Sequence, residues 1–370
     1  MSTNAQTSVI HDIGYKPYTG PRLGHAQIVR GLYLHSLRSI FGFGRGGKAK
    51  VVPFAVMAIM LFPAILNVYA SSKNQDLALS YSLMAYRMFL FSVVFVAVAA
   101  PELVSRDLRH HTLPLYFSRP LRRADYPLAK LLALASAVLL VQLLPVLVTY
   151  LGQVASATSG HQIWLDSRDA FPGVFIAVLY AAVFSTVSLL LASTTGRRVI
   201  ATGVIAIFFL VTMAISSVLQ DALGTSWAHH TATCTVPTIT AEQAKAYHGP
   251  VFGDGPDENS AVMVDQLCSG VSLRLDNLDD VRVAADPSRP GYATESLVYE
   301  TPVYSMVAKA GGMADPVTLV EGTRIWVFHA TDSDVPNPSP LGPAYAAELA
   351  VLALATGGGL FLRYRKVSVS

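Results

Sequence analysis

Charge is scarce in this sequence. Only 14% of the 370 residues are Asp, Glu, Lys or Arg, against about a quarter in an ordinary soluble domain. Hydrophobic residues reach 52% and the mean hydropathy is +0.44, which makes a water-soluble core a poor account of the chain and the bilayer its expected solvent. The net charge of +3 is too small to point to nucleic acid. Cysteine is nearly absent: Cys234 and Cys268 are the only two. The ten-residue alternation of an outer-membrane barrel is missing, so any spans should be helical. No cleavable leader is expected, because the first fifty residues are polar and basic and the first apolar block, near Val51, starts too late and runs too long. H-E-x-x-H, G-x-S-x-G and clustered Asp motifs are all missing, which speaks against a membrane protease or transferase.

What the chain does have is apolar blocks of roughly 20 residues, enough to cross about 30 Å of hydrocarbon as helix. Six such spans are expected at 51–70, 82–104, 128–153, 171–193, 198–219 and 343–363. The fold class is an all-α polytopic membrane protein. Pro53, Pro63, Pro145 and Pro172 fall inside these spans or at their mouths, where neighbouring helices can satisfy the freed carbonyls. Residues 1–50 read as an arm followed by an amphipathic helix over 24–43, in which Ile28, Leu32, Leu34, Leu37, Ile40 and Phe41 recur at helical spacing. That helix either lies at the membrane surface or packs on protein.

Sidedness follows from Lys and Arg. Positive residues crowd the arm, the 105–127 loop (Arg106, Arg109, Arg119, Arg122, Arg123), the turn at Arg197 and Arg198, and the tail (Arg363, Arg365, Lys366). The alternate loops hold only Lys73 and Arg168. Both termini are therefore expected in the cytoplasm and the insertion 220–342 outside. This insertion is too long for a plain connection. A small domain of mixed or mostly β character is expected there, and its segment 303–328 suits either short re-entrant helices or the base of that domain. The last unit is span six with the tail, 343–370.

Cys234 and Cys268 then face an oxidising compartment, where a disulfide is the favoured state. A metal site with His229 and His230 is the competing reading, but the spacing matches no standard zinc pattern. Gly42 to Ala49 fits G-x-x-x-x-G-K, yet Ala49 stands where a Ser or Thr should hold magnesium and no strand precedes it. A basic hinge is the plainer reading. Within the spans, Arg87 and Glu348 lie at similar depth near the outer side; they either pair or remain separate, Arg87 snorkelling and Glu348 facing water. Glu102 and Asp221 sit at span ends where hydration is easy.

The 105–127 loop encloses an apolar, aromatic centre between charged ends, which suits either a short helix that inserts into a partner or a simple basic anchor. The stretch from Glu102 to Lys130 resembles the loop between the second and third helices of ABC-2 type permeases. There a Glu closes the second span, a Leu-rich turn leads into an Arg/Ser-Pro-Leu-x-Arg segment, and a Lys opens the third. Here these positions are Glu102, Thr112 to Phe117, Ser118-Arg119-Pro120-Leu121-Arg122-Arg123 and Lys130. The N-terminal helix, the six-span layout, the segment Leu319 to Phe328 and the close Arg363 to Val367 extend the resemblance. His111-Thr112 stands where the family has Gly-Thr, and the insertion is larger than the family norm.

The resemblance implies the permease subunit of a bacterial, actinobacterial ABC exporter in the plasma (inner) membrane. It implies two copies of a soluble ABC ATPase that bind ATP and Mg, so that this chain holds no cofactor, and a second permease, the same or different. The residues it marks for ATPase coupling are Glu102, Arg106, Arg109, Leu113, Leu115, Tyr116, Phe117, Arg119, Arg122 and Arg123. Such systems mostly move lipids, glycans, peptides or drugs. A rival from another class is a membrane-anchored sensor or assembly protein that binds through its outer domain, though six spans exceed what anchoring requires.

Overall fold

The computed structural model describes residues 24–72, 79–109, 121–157, 159–223, 225–240, 252–254, 260–263, 278–285, 292–333 and 335–367. The chain runs through α1 (His25–Ile40), α2 (Lys48–Ser72), α3 (Tyr81–Arg87), α4 (Phe89–Arg109), α5 (Asp125–Ser156), α6 (Gly160–Ala192) and α7 (Arg198–Ser217), which ends in a π-helical turn (Val218–Ala222). The insertion follows as β1 (Thr225–Thr240), β2 (Phe252–Asp254), β3 (Ser260–Met263), β4 (Leu278–Ala285) and β5 (Tyr292–Tyr304). Then come α8 (Met306–Gly311), a 3-10 turn (Gly312–Ala314), α9 (Pro316–Phe328) and α10 (Gly342–Val367).

Among the described residues, six helices are long and apolar enough to cross a membrane: α2, α4, α5, α6, α7 with its π turn, and α10. The expected count is met, with shifts at the ends. The second span is not one helix from 82 to 104. It breaks at Met88 (φ −101°, ψ 13°) into α3 and α4, and α4 continues to Arg109. The fourth begins at Gly160 rather than 171, because the Ser159 hydroxyl caps it by accepting from Gln162 N at 3.3 Å and the polar turns after it are helical too. Hydropathy reports only the greasy part of such a helix. Pro101, inside α4, is one more intrahelical proline than the sequence reading marked.

The middle of the bundle is α4, α5 and α6. On α5 the buried residues Tyr126, Lys130, Leu134, Val138, Val141, Pro145 and Thr149 recur every three or four positions, with Ala129, Ala133 and Ala137 admitting close neighbours. Leu32, Ser36 and Ile40 form the buried face of α1. That face lies along the first half of α5: His25 Nε2 is 2.6 Å from Asp125 Oδ2, and Tyr33 donates to Ser136 Oγ at 3.0 Å, so the two helices run side by side in one direction. Gly42 (φ 70°) and Gly44 (φ 80°) turn the chain into α2. A Cβ on Gly42 would stand 2.8 Å from the Ala49 carbonyl carbon, so only glycine fits. The residues with phosphate-loop spacing are thus a turn between two helices.

The insertion forms an antiparallel sheet in the order β2-β3-β1-β5-β4. Its spine is the long β1–β5 pairing, from Thr225 opposite Tyr304 to Pro237 opposite Tyr292. Cys234 sits on β1 opposite Glu295. Cys268 lies outside the described residues, and with it the expected disulfide.

After β5 the chain turns back into the bundle. The Asp315 side chain caps α9, accepting from Thr318 N at 3.1 Å, while its other oxygen accepts from the Thr212 hydroxyl at 2.9 Å. Thr212 is about 21 Å along α7 from Arg198 by helical rise. Tyr180, well inside α6, donates to the Val317 carbonyl at 3.4 Å. So α9 starts deep among the long helices and runs back toward the sheet, and ten of its thirteen residues are buried. Tyr345 on α10 lies against it and donates to the Lys309 carbonyl at 2.6 Å.

Gly322 faces that tyrosine ring with no room for a side chain. Gly322→Val should destabilise the fold by about 1–3 kcal/mol, seen as a lower thermal unfolding midpoint in detergent. Gly203→Ala, where a Cβ would meet open space, should leave the midpoint unchanged or raise it slightly.

Candidate functional site at the two ends of the bundle

Ionisable side chains gather at the two ends of the bundle. At the basic end, Glu102 on α4 accepts from Arg45, in the turn before α2, and from Arg198 Nη1 at 2.7 Å, at the start of α7. Its side chain is only 6% exposed. The sequence reading of Glu102 as an easily hydrated span end is therefore corrected: the carboxylate is held inside by two guanidiniums from two other elements. Hydropathy could not show this, because a carboxylate at a helix end looks solvated until the arginines that cover it are placed.

One helical turn further on, Asp107 accepts from Tyr126 OH at 2.6 Å and pairs with Lys130 Nζ at 3.0 Å, both on α5. Tyr126 also meets Tyr364 of α10 with ring centroids 5.1 Å apart. Arg363 Nε donates to the Ser193 carbonyl at 2.7 Å, and Ser105 donates to the Ala192 carbonyl at 3.3 Å. Five long helices are thus joined here through short polar contacts. Arg109 is the last residue of α4 and is exposed, as are Arg122 and Arg123 before α5. Arg106 lies on α4. Leu113, Leu115, Tyr116, Phe117 and Arg119 fall outside the described residues.

The insertion end carries a cluster that sequence reasoning did not single out. Arg324 and Glu321, on α9, are both fully buried. Arg324 Nε donates to Glu321 Oε2 at 2.9 Å and Nη2 to Oε1 at 2.7 Å, a two-pronged contact. Its Nη1 donates to Ser82 Oγ at 2.9 Å and pairs with Asp332 Oδ1 at 2.9 Å. Asp332 in turn accepts from Ser80, and Glu321 from Ser333. The Arg324 guanidinium thereby ties α9 to the beginning of α3 and to the turn after His329, which is left-handed at φ 50°. A signal was present in the sequence, a Glu and an Arg three apart in an apolar run, which puts them on one helix face.

Arg87, for which pairing with Glu348 and separation from it were both open readings, is exposed at the end of α3, and Glu348 is half-buried on α10. The fold sets α9 against both α3 and α10. A buried ion pair of this region is Arg324 with Glu321.

Burial pushes the Asp332 carboxyl up, but hydrogen bonds from Ser80 and Arg324 and the Arg324 charge outweigh it and hold it below the usual Asp range. Its stabilisation is fully present above the unfolded value of about 4 and is lost as pH falls through the lower folded value.

Two comparisons with known proteins bear on this arrangement. A family model described as "ABC-2 family transporter protein" matches residues 28–242, from α1 to just past β1 and more than half of the chain. No curated protein matches the chain.

Removing Arg324 leaves Glu321 buried without its counter-charge, so Arg324→Met should cost about 3–5 kcal/mol. The double replacement Arg324→Met with Glu321→Met should recover most of that loss in detergent unfolding. On acidification below about pH 4, the wild type should lose protection of the α9 region against proteolysis. Asp332→Asn should show less protection at neutral pH and a flatter profile.

Proposed function

The chain belongs to the ABC-2 transporter family, and from that premise we propose that it is the permease half of an ATP-driven exporter powered by a separate ATPase. It is a multi-pass membrane protein and a transporter component of an ABC system, and its family domain is a membrane component rather than a nucleotide-binding one. Two ABC ATPase subunits bind ATP and Mg and engage the segment between α4 and α5. A second permease, identical or different, completes the membrane unit. The protein lies in the bacterial plasma membrane with its basic end and both termini in the cytoplasm, and the sheet outside.

The observation that carries this reading is the Glu102 clamp. The segment between Arg109 and Arg122 joins two helices whose ends are already held: α4 through Glu102 to Arg45 and Arg198, and α5 through Lys130 and Tyr126 to Asp107. A push on that segment cannot move α4 alone. It carries the start of α7 with it, and α7 in turn holds the buried end of α9 through Thr212 and Asp315. Short buried contacts and rigid helices are the physical means by which such a displacement crosses a bundle. We read α8 and α9 as a re-entrant hairpin that lines the outer half of the route, so that ATPase motion at one end reaches the outer mouth at the other.

The test is co-purification followed by activity. The native complex should bring down a soluble subunit with a genuine Walker motif, and Phe117→Ala with Arg119→Ala should weaken that association. Glu102→Gln should keep the subunit bound but lower substrate-stimulated ATP hydrolysis about 5-fold or more, with Glu102→Asp partly restoring it. Protease or tag accessibility that puts the segment from Arg106 to Arg123 on the outer face would overturn the reading. An isolated chain that never recruits an ATPase would favour a membrane-anchored sensor.

A further inference from the structure

The start of α3 is wedged against α5 and α6 at the insertion end of the bundle. Gly173 lets it in, since a Cβ there would stand 2.8 Å from the Tyr81 carbonyl oxygen. Tyr81 packs on Val146 of α5 and Ala170 of α6 and is only 3% exposed. Its hydroxyl has no hydrogen-bond partner among the described residues. Thr149, one turn beyond Val146 on the same buried face of α5, is wholly buried and its hydroxyl is unpartnered too. Asp166, one turn from Ala170 toward the start of α6, buries a carboxylate oxygen that accepts no hydrogen bond. Buried polar atoms left open in this way cost free energy, and three at one junction of helices call for a shared partner.

The charge at this junction is negative. Asp166 and Asp169 share one face of α6, three residues apart, and they are the two carboxylates whose charge falls on the Tyr81 hydroxyl. The Asp169 charge also falls on Asp166. Neither carboxylate has a cationic partner among the described residues, and Arg168 between them lies off their face. Tyr150 adds a further oxygen. The Ser167 hydroxyl donates to the Ile163 carbonyl at 2.7 Å, so it accepts from the Tyr150 hydroxyl at 2.9 Å, and the phenolic oxygen keeps its acceptor capacity. Asp166 is half-buried and Asp169 exposed. The cluster is therefore closed by Tyr81 on the bundle side and reached from water on the Asp169 side.

We propose that this junction binds a calcium ion through the Asp166 and Asp169 carboxylates and the hydroxyl oxygens of Tyr81, Thr149 and Tyr150. Every donor is a hard oxygen, with no His or Cys to favour a transition metal. Two carboxylates match a divalent charge, and a set of mixed oxygens drawn from three helices suits the loose coordination of calcium better than the strict octahedron of magnesium. A bridging water would satisfy the hydroxyls but leave two adjacent like charges unopposed. A direct Tyr81 to Asp166 hydrogen bond would leave Thr149 open and do nothing for Asp169. The ion would tie the start of α3 to α5 and α6, beside the point where Ser80 and Ser82 meet Asp332 and Arg324. The inference depends neither on the ATPase nor on export, nor on which face of the membrane is outside.

The test uses the full chain in detergent, freed of divalent cations by chelation and held at fixed ionic strength. Calcium should raise the thermal unfolding midpoint, by about 3 °C at roughly ten times its Kd, and that Kd should be on the order of 10⁻⁴–10⁻³ M. The same concentration of magnesium should move the midpoint little. Asp166→Asn keeps an acceptor for Tyr81 but loses the charge. Without calcium it should be at least as stable as the wild type, because the repulsion from Asp169 is relieved, and it should lose the calcium shift. Tyr81→Phe keeps the ring packing and should need about 5-fold more calcium, the equivalent of one polar contact. Equilibrium dialysis with radioactive calcium should find one ion fewer on Asp166→Asn with Asp169→Asn than on the wild type. No calcium shift in the wild type, an equal shift in Asp166→Asn or an equal shift from magnesium would each overturn the proposal, leaving water or simple charge screening at the junction.

Discussion

A charge or a backbone polar group inside hydrocarbon must find its partner within the protein, because no water is there to supply one. That requirement organises this molecule. Apolar residues fill most of the middle of the bundle, and two groups of ionisable side chains enter it as sets: Glu102 with two arginines at one end, Arg324 with Glu321 and Asp332 at the other. Each set reaches across elements, Glu102 to Arg45 and Arg198, and Arg324 to Ser82 and Asp332, so satisfying the charge also joins those elements. Desolvation opposes these pairs and makes them weak contributors to net stability. Their effect is to fix which helix ends lie together.

The same requirement explains how an irregular segment can enter the bundle. The start of α9 leaves backbone groups open at a depth where lipid could not satisfy them. The Asp315 carboxylate, itself held by Thr212, accepts from Thr318 N, and Tyr180 donates to the Val317 carbonyl; small residues let the segment in, with Gly322 of α9 against Tyr345 and Gly311 of α8 against Leu219. The first ten residues of α9 are therefore protein-lined, the condition under which non-spanning chain is tolerated inside a membrane bundle. Through Thr212, α7 joins α9 to the helix start where Arg198 meets Glu102, so the two ends of the bundle share one helix. A transporter component needs such an element if work done at one face is to change the other.

The sequence determined the solvent, the number of long helices and the family. Scarce charge and repeated apolar blocks leave few alternatives to a helical bundle in a bilayer, and the motif from Glu102 to Lys130 carries a resemblance that the family match supports. Composition also marked the insertion as a distinct unit, whose described strands form one sheet. These features are local or periodic, so a linear reading captures them. What only the tertiary structure decided is which charges meet. Arg45, Glu102 and Arg198 are far apart along the chain, and Arg324 reaches Ser82 across more than half of it. The break at Met88 and the early start of α6 belong to the same class, since one depends on how α3 packs and the other on a capped polar turn that hydropathy cannot see. Burial depends on neighbours, and neighbours are set by packing between segments that the sequence keeps apart.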